Sequence, residues 1–335
     1  MPPRPPQGLA DLAPPRRRCR APWRIVDPPA RRRNVRAAVA QSPALLHPLS
    51  WAVLQPRGPR ARQGGLAPSR SGSGARRGAS AGVVSLTAAV IARDEEDSLP
   101  DCLESVAFAD ERLVLVDAAT HDRTREVAAH HGARVEERAF DNFAAQREAA
   151  LNMSSGEWVL FVDADERVTP ALRREVLARI ADPGGTRAFW IPRHNYLMGR
   201  LVRHAGWYPD YQLRLLARAA ARFDAHRVVH ELAVVDGEMG YLREPLVHFN
   251  YGSLGEFIEK QERYCPFEAR RWLATFGRPR PRALLGQPAR EFWRRYVELQ
   301  GFREGVLGLV LSSLLAYYAG KAIYLARRAS ADRPT

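Results

Sequence analysis

The chain has 335 residues, a formal net charge of +14 at pH 7 and three cysteines, Cys19, Cys102 and Cys265. The length allows one large core or two small ones. Three widely spaced cysteines with no C-x-x-C argue against a disulfide framework or a thiolate zinc site and fit a reducing cytosol.

The charge is lopsided. Residues 1–82 hold 16 Arg, no Lys, and only Asp11 and Asp27, a net of +14, which leaves 35 basic and 35 acidic residues in the remainder. This segment is rich in Pro, Gly and Ser, a composition that cannot bury enough apolar surface to offset chain entropy, so a disordered tail is expected. The Arg runs at 16–18 and 31–33 suit phosphate backbones or anionic lipid, but a solvated tail is the favoured reading. Its most apolar part, 37–55, is broken by Gln41, Pro43, His47 and Pro48 and lacks the order of a signal peptide.

From Val83 the pattern becomes strand, helix, strand, helix. "LTAAVIA" (86–92) reads as a strand, Ser98 with Pro100 and Asp101 as a helix start, "RLVLVD" (112–117) as a second strand, and "DRTREVAAHHG" as a helix ending at Gly132. "ARVEE" is a short third strand, a helix follows over about 142–153, "EWVLFVD" (157–163) is a fourth strand, and Thr169-Pro170 opens another helix. Such alternation means a mainly parallel sheet.

Ligands of such sheets bind beyond the carboxyl ends of the strands. Three of these ends are acidic: Asp94 and Glu95 after the first strand, Asp117 at the end of the second, Asp163 and Asp165 at the end of the fourth. Neither G-x-G-x-x-G nor G-K-[ST] is present, so no Gly-rich turn is on offer for phosphates. Carboxylates packed as closely as those of "FVDADER" (161–167) repel one another, and a shared Mg²⁺ or Mn²⁺ would reconcile them with a diphosphate. In an extended strand Asp163 and Asp165 would share a face.

These residues resemble the family 2 inverting glycosyltransferases. The likeness runs through "AVIARDEEDSLPDCLES", "LVLVDAATHDRT" and the D-x-D segment "WVLFVDADERVTP", and covers roughly 85–325. "WYPDYQLRLL", "VVHE" and "GFREGVLG", in that order, bring it nearest to the lipopolysaccharide-core β-glucosyltransferase branch. The resemblance implies an α/β fold of GT-A type, the nucleotide-diphospho-sugar transferase fold, with UDP-sugar as donor. Asp94 and Asp117 would contact uracil and ribose, Asp163 would lie near ribose and diphosphate, and Asp165, together with Asp163, would hold the metal. Glu95 and Asp122 match positions around the same pocket. Asp94 departs from the family's usual Asn, and "AATH" from its Ser- and Gly-rich turn.

Beyond 185 aromatic and basic residues thicken. Trp190, Trp207, Tyr208 and Tyr211 beside Arg193, Arg203 and Arg214 suit either a core or sugar and phosphate contacts. An inverting transfer needs a carboxylate to take the acceptor's proton. Glu231 in "VHE" is the first candidate and Asp210 in "YPD" the second, whereas His248 reads as structural. Ser253 and Glu256 form a capping box, and Pro266 is expected to kink or end the helix they open.

"GVLGLVLSSLLAYYAGKAIYLARR" is marginal as a spanning helix and also suits a buried or interfacial one, with Arg294, Arg295, Arg327 and Arg328 at its flanks. The organisation expected is a tail (1–82), a transferase domain (83–275) with a nucleotide-sugar half (83–170) and an acceptor half (171–275), and a helical C-terminal segment (276–335). The activity expected is metal-dependent transfer of a hexose, glucose first, to a lipid-linked saccharide acceptor at the cytoplasmic face of the plasma membrane, by a peripheral or monotopic enzyme. The rivals are a nucleotidyltransferase, which should carry a basic Gly-rich loop where this chain has "ARDEE", and a nucleic-acid-binding or scaffold protein using the tail.

Overall fold

The computed structural model describes residues 84–224 and 232–331. The expected tail, His230 and Glu231 lie outside the described residues.

Strands β1 (Leu86–Ala92), β2 (Glu111–Asp117), β3 (Arg134–Arg138) and β4 (Trp158–Phe161) alternate with helices α1 (Leu99–Ser105), α2 (Thr124–His130) and α3 (Phe143–Met153). They pair in parallel in the order β3-β2-β1-β4. β1 is buried on both faces. Ala88, Val90 and Ala92 join one core with Leu99, Leu103 and Val116, while Ala89 on the other face meets Leu113, Leu151 and Phe161. Asn142 caps α3 through Ala145 N, and Thr169 caps α4 (Pro170–Ala181) through Leu172 N.

β5 (Glu166–Val168) follows β4 after a turn. The alternation then gives way to β6 (Thr186–Leu197), β7 (Arg200–Val202), β8 (Asp210–Ala217), β9 (Ala221–Arg222), β10 (Val234–Val235), β11 (Glu238–Tyr241) and β12 (Leu246–Tyr251). The main sheet continues β4-β8-β6-β12-β5, and β8 runs antiparallel to both its neighbours. The start of β8 therefore lies at the edge where β1, β2 and β4 end.

Three helices complete the chain: α5 (Leu254–Phe276), α6 (Ala283–Trp293) and α7 (Gly305–Ala331). Ser253 caps α5 as expected, accepting from Glu256 N, but the Glu256 carboxylate accepts from Gly252 N. α5 continues ten residues past Pro266, so the expected break does not occur; α7 packs along it and supports the turn that lacks a hydrogen bond. Leu311, Ser312, Leu315, Ala319, Ala322 and Ile323 of α7 are buried. The C-terminal helical stretch is long and apolar enough to cross a membrane by length and composition, and half of it is buried against the rest of the chain. Cys102 and Cys265 are free and buried.

Candidate active site

Parallel pairing of β1 with β2 and β4 brings the three acidic strand ends to one edge. Asp117, the last residue of β2, is almost fully buried; its Oδ1 accepts from Ala119 N at 3.1 Å. Its Oδ2 receives no hydrogen bond, although Arg93 Nη1 lies 3.2 Å away. Asp94 has a left-handed backbone (φ 53°) and accepts from His121 N at 2.7 Å, fixing the β1–α1 loop against the β2–α2 loop. Glu95 and Asp122 are occupied in the same loops. Glu95 accepts from the Ser98 hydroxyl, and Asp122 from Glu96 N, Thr124 N and the Thr124 hydroxyl. The Ser98 side chain thus serves Glu95 rather than capping α1.

The D-x-D segment is not extended. β4 stops at Phe161, and Glu166 N bonds to Asp163 O at 2.8 Å, closing a turn that sends Asp163 and Asp165 to different partners. The expectation of a shared face is corrected accordingly, because i and i+2 share a face only in a strand. Asp163 is bound by both Nη atoms of Arg214 and lies 3.4 Å from Arg147 Nη2. Burial opposes its ionisation, but Arg214 and Arg147 outweigh this and hold it well below the usual carboxylate range. Glu166, fully buried, pairs with Arg193 Nη1 at 3.2 Å and Arg214 Nη2 at 3.0 Å. Three arginines, rather than a cation alone, make two of the three clustered acids tolerable. Local sequence carries little warning of this, since α3, β6 and β8 supply them.

Asp210 opens β8 opposite Arg193 of β6. Its Oδ2 accepts from Arg193 Nε at 2.8 Å and Asn195 Nδ2 at 3.2 Å, and its Oδ1 from Gln212 Nε2 at 2.9 Å. Burial again opposes charge, and Arg193 outweighs it, so this carboxyl also sits below its ordinary range. Of the aromatic candidates, Trp190 is core and stacks on Tyr241, and Trp207 packs edge-on to Tyr251. Tyr208, beside His194, stays partly open, and Arg203 is exposed.

Asp165 has a partner that sequence reading assigned to structure. His248 of β12 places Nε2 3.4 Å from Asp165 Oδ2, and its Nδ1 is 2.7 Å from Asn195 Oδ1. The Asn195 amide NH₂ donates to Trp207 O (2.9 Å) and to Asp210, so Oδ1 accepts from His248 Nδ1–H. With the imidazole neutral, its Nε2 lone pair would face a carboxylate oxygen. Two acceptors opposed in this way fit a cation, and the carbonyl-fixed imidazole is the usual support for a ligating nitrogen. Among the described residues no group of three or more His, Cys, Asp or Glu is placed to hold a metal ion by itself.

A model of the Glycosyl transferase family 2 family matches residues 87–236. The chain is 31% identical over 247 residues to the lipopolysaccharide core biosynthesis glycosyltransferase LpsC of Rhizobium meliloti (strain 1021), spanning 69% of this chain and 90% of that protein. An uncharacterized glycosyltransferase of Rickettsia bellii is 20% identical over 242 residues, 69% of this chain and 82% of the other. Similar solved structures include S. aureus TarS 1–349 in complex with UDP, with a TM-score of 0.40, 15% identity, and 74% of this chain and 90% of that one covered. Another is glucosyl-3-phosphoglycerate synthase from Mycobacterium tuberculosis with Mg²⁺ and UDP, at 0.38 and 16%, covering 62% and 86%.

Proposed function

Because this chain belongs to the family 2 glycosyltransferases and has their GT-A-like fold, we propose that it transfers a hexose, glucose first, from a UDP-sugar to a lipid-linked saccharide of the lipopolysaccharide-core kind, with inversion. The observation that carries the donor side is the buried Asp117 carboxylate at the strand edge, with one oxygen free of hydrogen bonds. A uracil N–H or ribose hydroxyl would supply the hydrogen bond that the Arg93 ion pair leaves unmade. Asp94 completes that nucleoside end, with Glu95 and Asp122 holding the loops that shape it.

Asp165 with His248 would hold Mg²⁺ or Mn²⁺, which supplies charge neutralisation for the departing diphosphate. Asp163, engaged by Arg214 and Arg147, orients the turn and keeps two guanidinium groups beside the diphosphate. On the acceptor side a carboxylate takes the hydroxyl's proton. Arg193 binds Asp210 through two nitrogens and weakens it as a base, which favours Glu231 in that role, with Asp210 as the alternative. LpsC's name supports a lipopolysaccharide-core acceptor. The outward side of α6 and α7 supports a peripheral or monotopic enzyme at the cytoplasmic face of the membrane.

The test is UDP release from a panel of UDP-sugars with deep-core lipopolysaccharide and Mn²⁺ or Mg²⁺. UDP-glucose should turn over, excess EDTA should stop it, and Asp165→Ala should abolish it. Undiminished turnover in EDTA would remove the metal from the reading. Equal turnover without acceptor would remove the transferase reading. Glu231→Gln should slow turnover by about 10² to 10⁴ with donor affinity intact; collapse in Asp210→Asn instead would move the base to Asp210.

A further inference from the structure

The loop joining β7 to β8, residues 203–209, is held at its first half by the C-terminal helical segment. Glu304 ends the short 3₁₀ turn (Gly301–Glu304) that leads into α7, and its side chain is only 10% exposed. One of its oxygens, Oε1, accepts from Arg203 N (3.0 Å), His204 N (2.9 Å) and the His204 ring at Nδ1 (2.5 Å). The next residue, Ala205, is buried with φ 57°; its N–H bonds to Leu299 O at 2.8 Å and its carbonyl accepts from the buried Arg295 Nη1 at 2.9 Å. Gly206 follows with φ 86°, and a Cβ there would stand 3.1 Å from Leu299 and 3.4 Å from Arg295.

The second half of the loop belongs to the site. Trp207 donates its N–H to His204 O and offers its carbonyl to Asn195 Nδ2, the amide that also bonds Asp210 and fixes His248 beside Asp165. A hydrogen-bonded path therefore leads from Glu304 through His204, Trp207 and Asn195 to both the acid of β8 and the candidate ion ligand. A carboxylate accepting two backbone N–H groups and a ring N–H from one loop is a charge-assisted clamp, stronger than neutral hydrogen bonds.

We infer that Glu304 is a positioning residue for the acceptor side of the site, making the root of α7 and the β7–β8 loop one mechanical unit. The inference rests on the transferase reading for the word acceptor, but the clamp itself does not. It assigns the C-terminal helices a part in the reaction: they set where Trp207, Tyr208 and Asp210 stand.

The test compares full-length wild type, Glu304→Ala and Glu304→Gln. By hydrogen–deuterium exchange, Glu304→Ala should speed exchange of the amides of 203–208 at least about tenfold while those of β1, β2 and β4 stay within twofold, because removing an acceptor frees the donors it held. Glu304→Gln, which keeps a side-chain carbonyl for the two backbone donors, should recover most of the protection. With UDP-glucose and deep-core lipopolysaccharide, Glu304→Ala should raise the acceptor KM about tenfold and leave UDP affinity unchanged. Unchanged exchange at 203–208, or an increase spread evenly through the sheet, overturns the clamp. An unchanged acceptor KM in a loosened loop overturns the positioning role. If wild type itself transfers nothing to this acceptor, the fault lies with the function proposed above, and the exchange result still decides the clamp.

Discussion

At the scale of single residues, the site is an alternation of charge: Asp210, Arg193, Glu166, Arg214, Asp163 and Arg147 each contact the next. Such a chain is stable only while its carboxylates are ionised, and the sign of its pH response follows. Asp163 and Asp210 have folded pKa values depressed below the unfolded value of about 3.9. Their contribution is complete above that value and is lost as pH falls through the folded pKa. The denaturation midpoint should therefore respond little to these groups between about pH 8 and 5 and drop below about pH 4. Asp210→Asn should show a shallower acid drop than wild type in urea titrations; parallel curves would take Asp210 out of the acid-sensitive set. The acids of this chain were legible in the sequence, because a carboxylate directly behind an apolar run has few structural uses. Their partners were not: Arg193 and Arg214 stand 27 and 48 residues from Glu166, and no local pattern distinguishes a buried Arg in "PRHNY" or "QLRLL" from a solvated one. His248 was missed for the same reason, since its link to Asp165 exists only once β12 lies against β5.

Among elements, β1, β2 and the helices between them were readable from apolar runs, caps and Pro placement, because local physics fixes them. The strands after Thr186 were not readable in order, because β8 and β6 pair across the sheet rather than in sequence. α7 shows the same division. Its length was readable, but its two faces were not. The inner face packs on α5 and α6, whereas Val306, Leu309, Ser313, Tyr317 and Tyr324 form an exposed stripe without charge. Leu285 (83% exposed) and Trp293 of α6, and Phe302, add to the exposed apolar surface of these helices, with Arg290, Arg303 and Arg328 exposed among them. The expected use of Arg295 at headgroups is corrected, because it is buried on Glu291 and Ala205; Arg327 bonds Pro279 O and stays partly exposed. A stripe of this kind suits burial in the headgroup layer. The protein should float with phosphatidylethanolamine–phosphatidylglycerol vesicles, and high salt should release only part of it. Val306→Glu with Leu309→Glu should release most of it while preserving UDP affinity. Flotation unaffected by both changes would take the stripe out of membrane contact.

On the scale of the whole molecule, charge and fold are separable in the sequence. All of the net +14 lies in residues 1–82, and the remainder is neutral. A basic segment of that composition governs encounter with polyanions rather than the fold. Removing residues 1–82 should leave UDP affinity and the thermal midpoint within error and abolish any salt-sensitive binding of RNA or DNA. A fall in midpoint of more than a few degrees would mean that the segment packs on the domain.

Asp210 and Arg214 lie in one strand, β8, whose pairing with β6 is irregular at Arg214, between Leu213 and Leu215; at up to about 3.4 Å per residue the two are at most about 14 Å apart. Arg214 reaches the acid that follows β4 and Asp210 pairs with Arg193 at the strand's start, so on the proposed reading this strand sets the interval between the donor and acceptor halves of the reaction. One residue inserted between 210 and 214 would turn either Asp210 or Arg214 to the opposite face of the sheet, whereas side chains along it can change without altering the interval. Related chains that accept differently sized saccharides are then expected to differ in the loops around this strand rather than in its length.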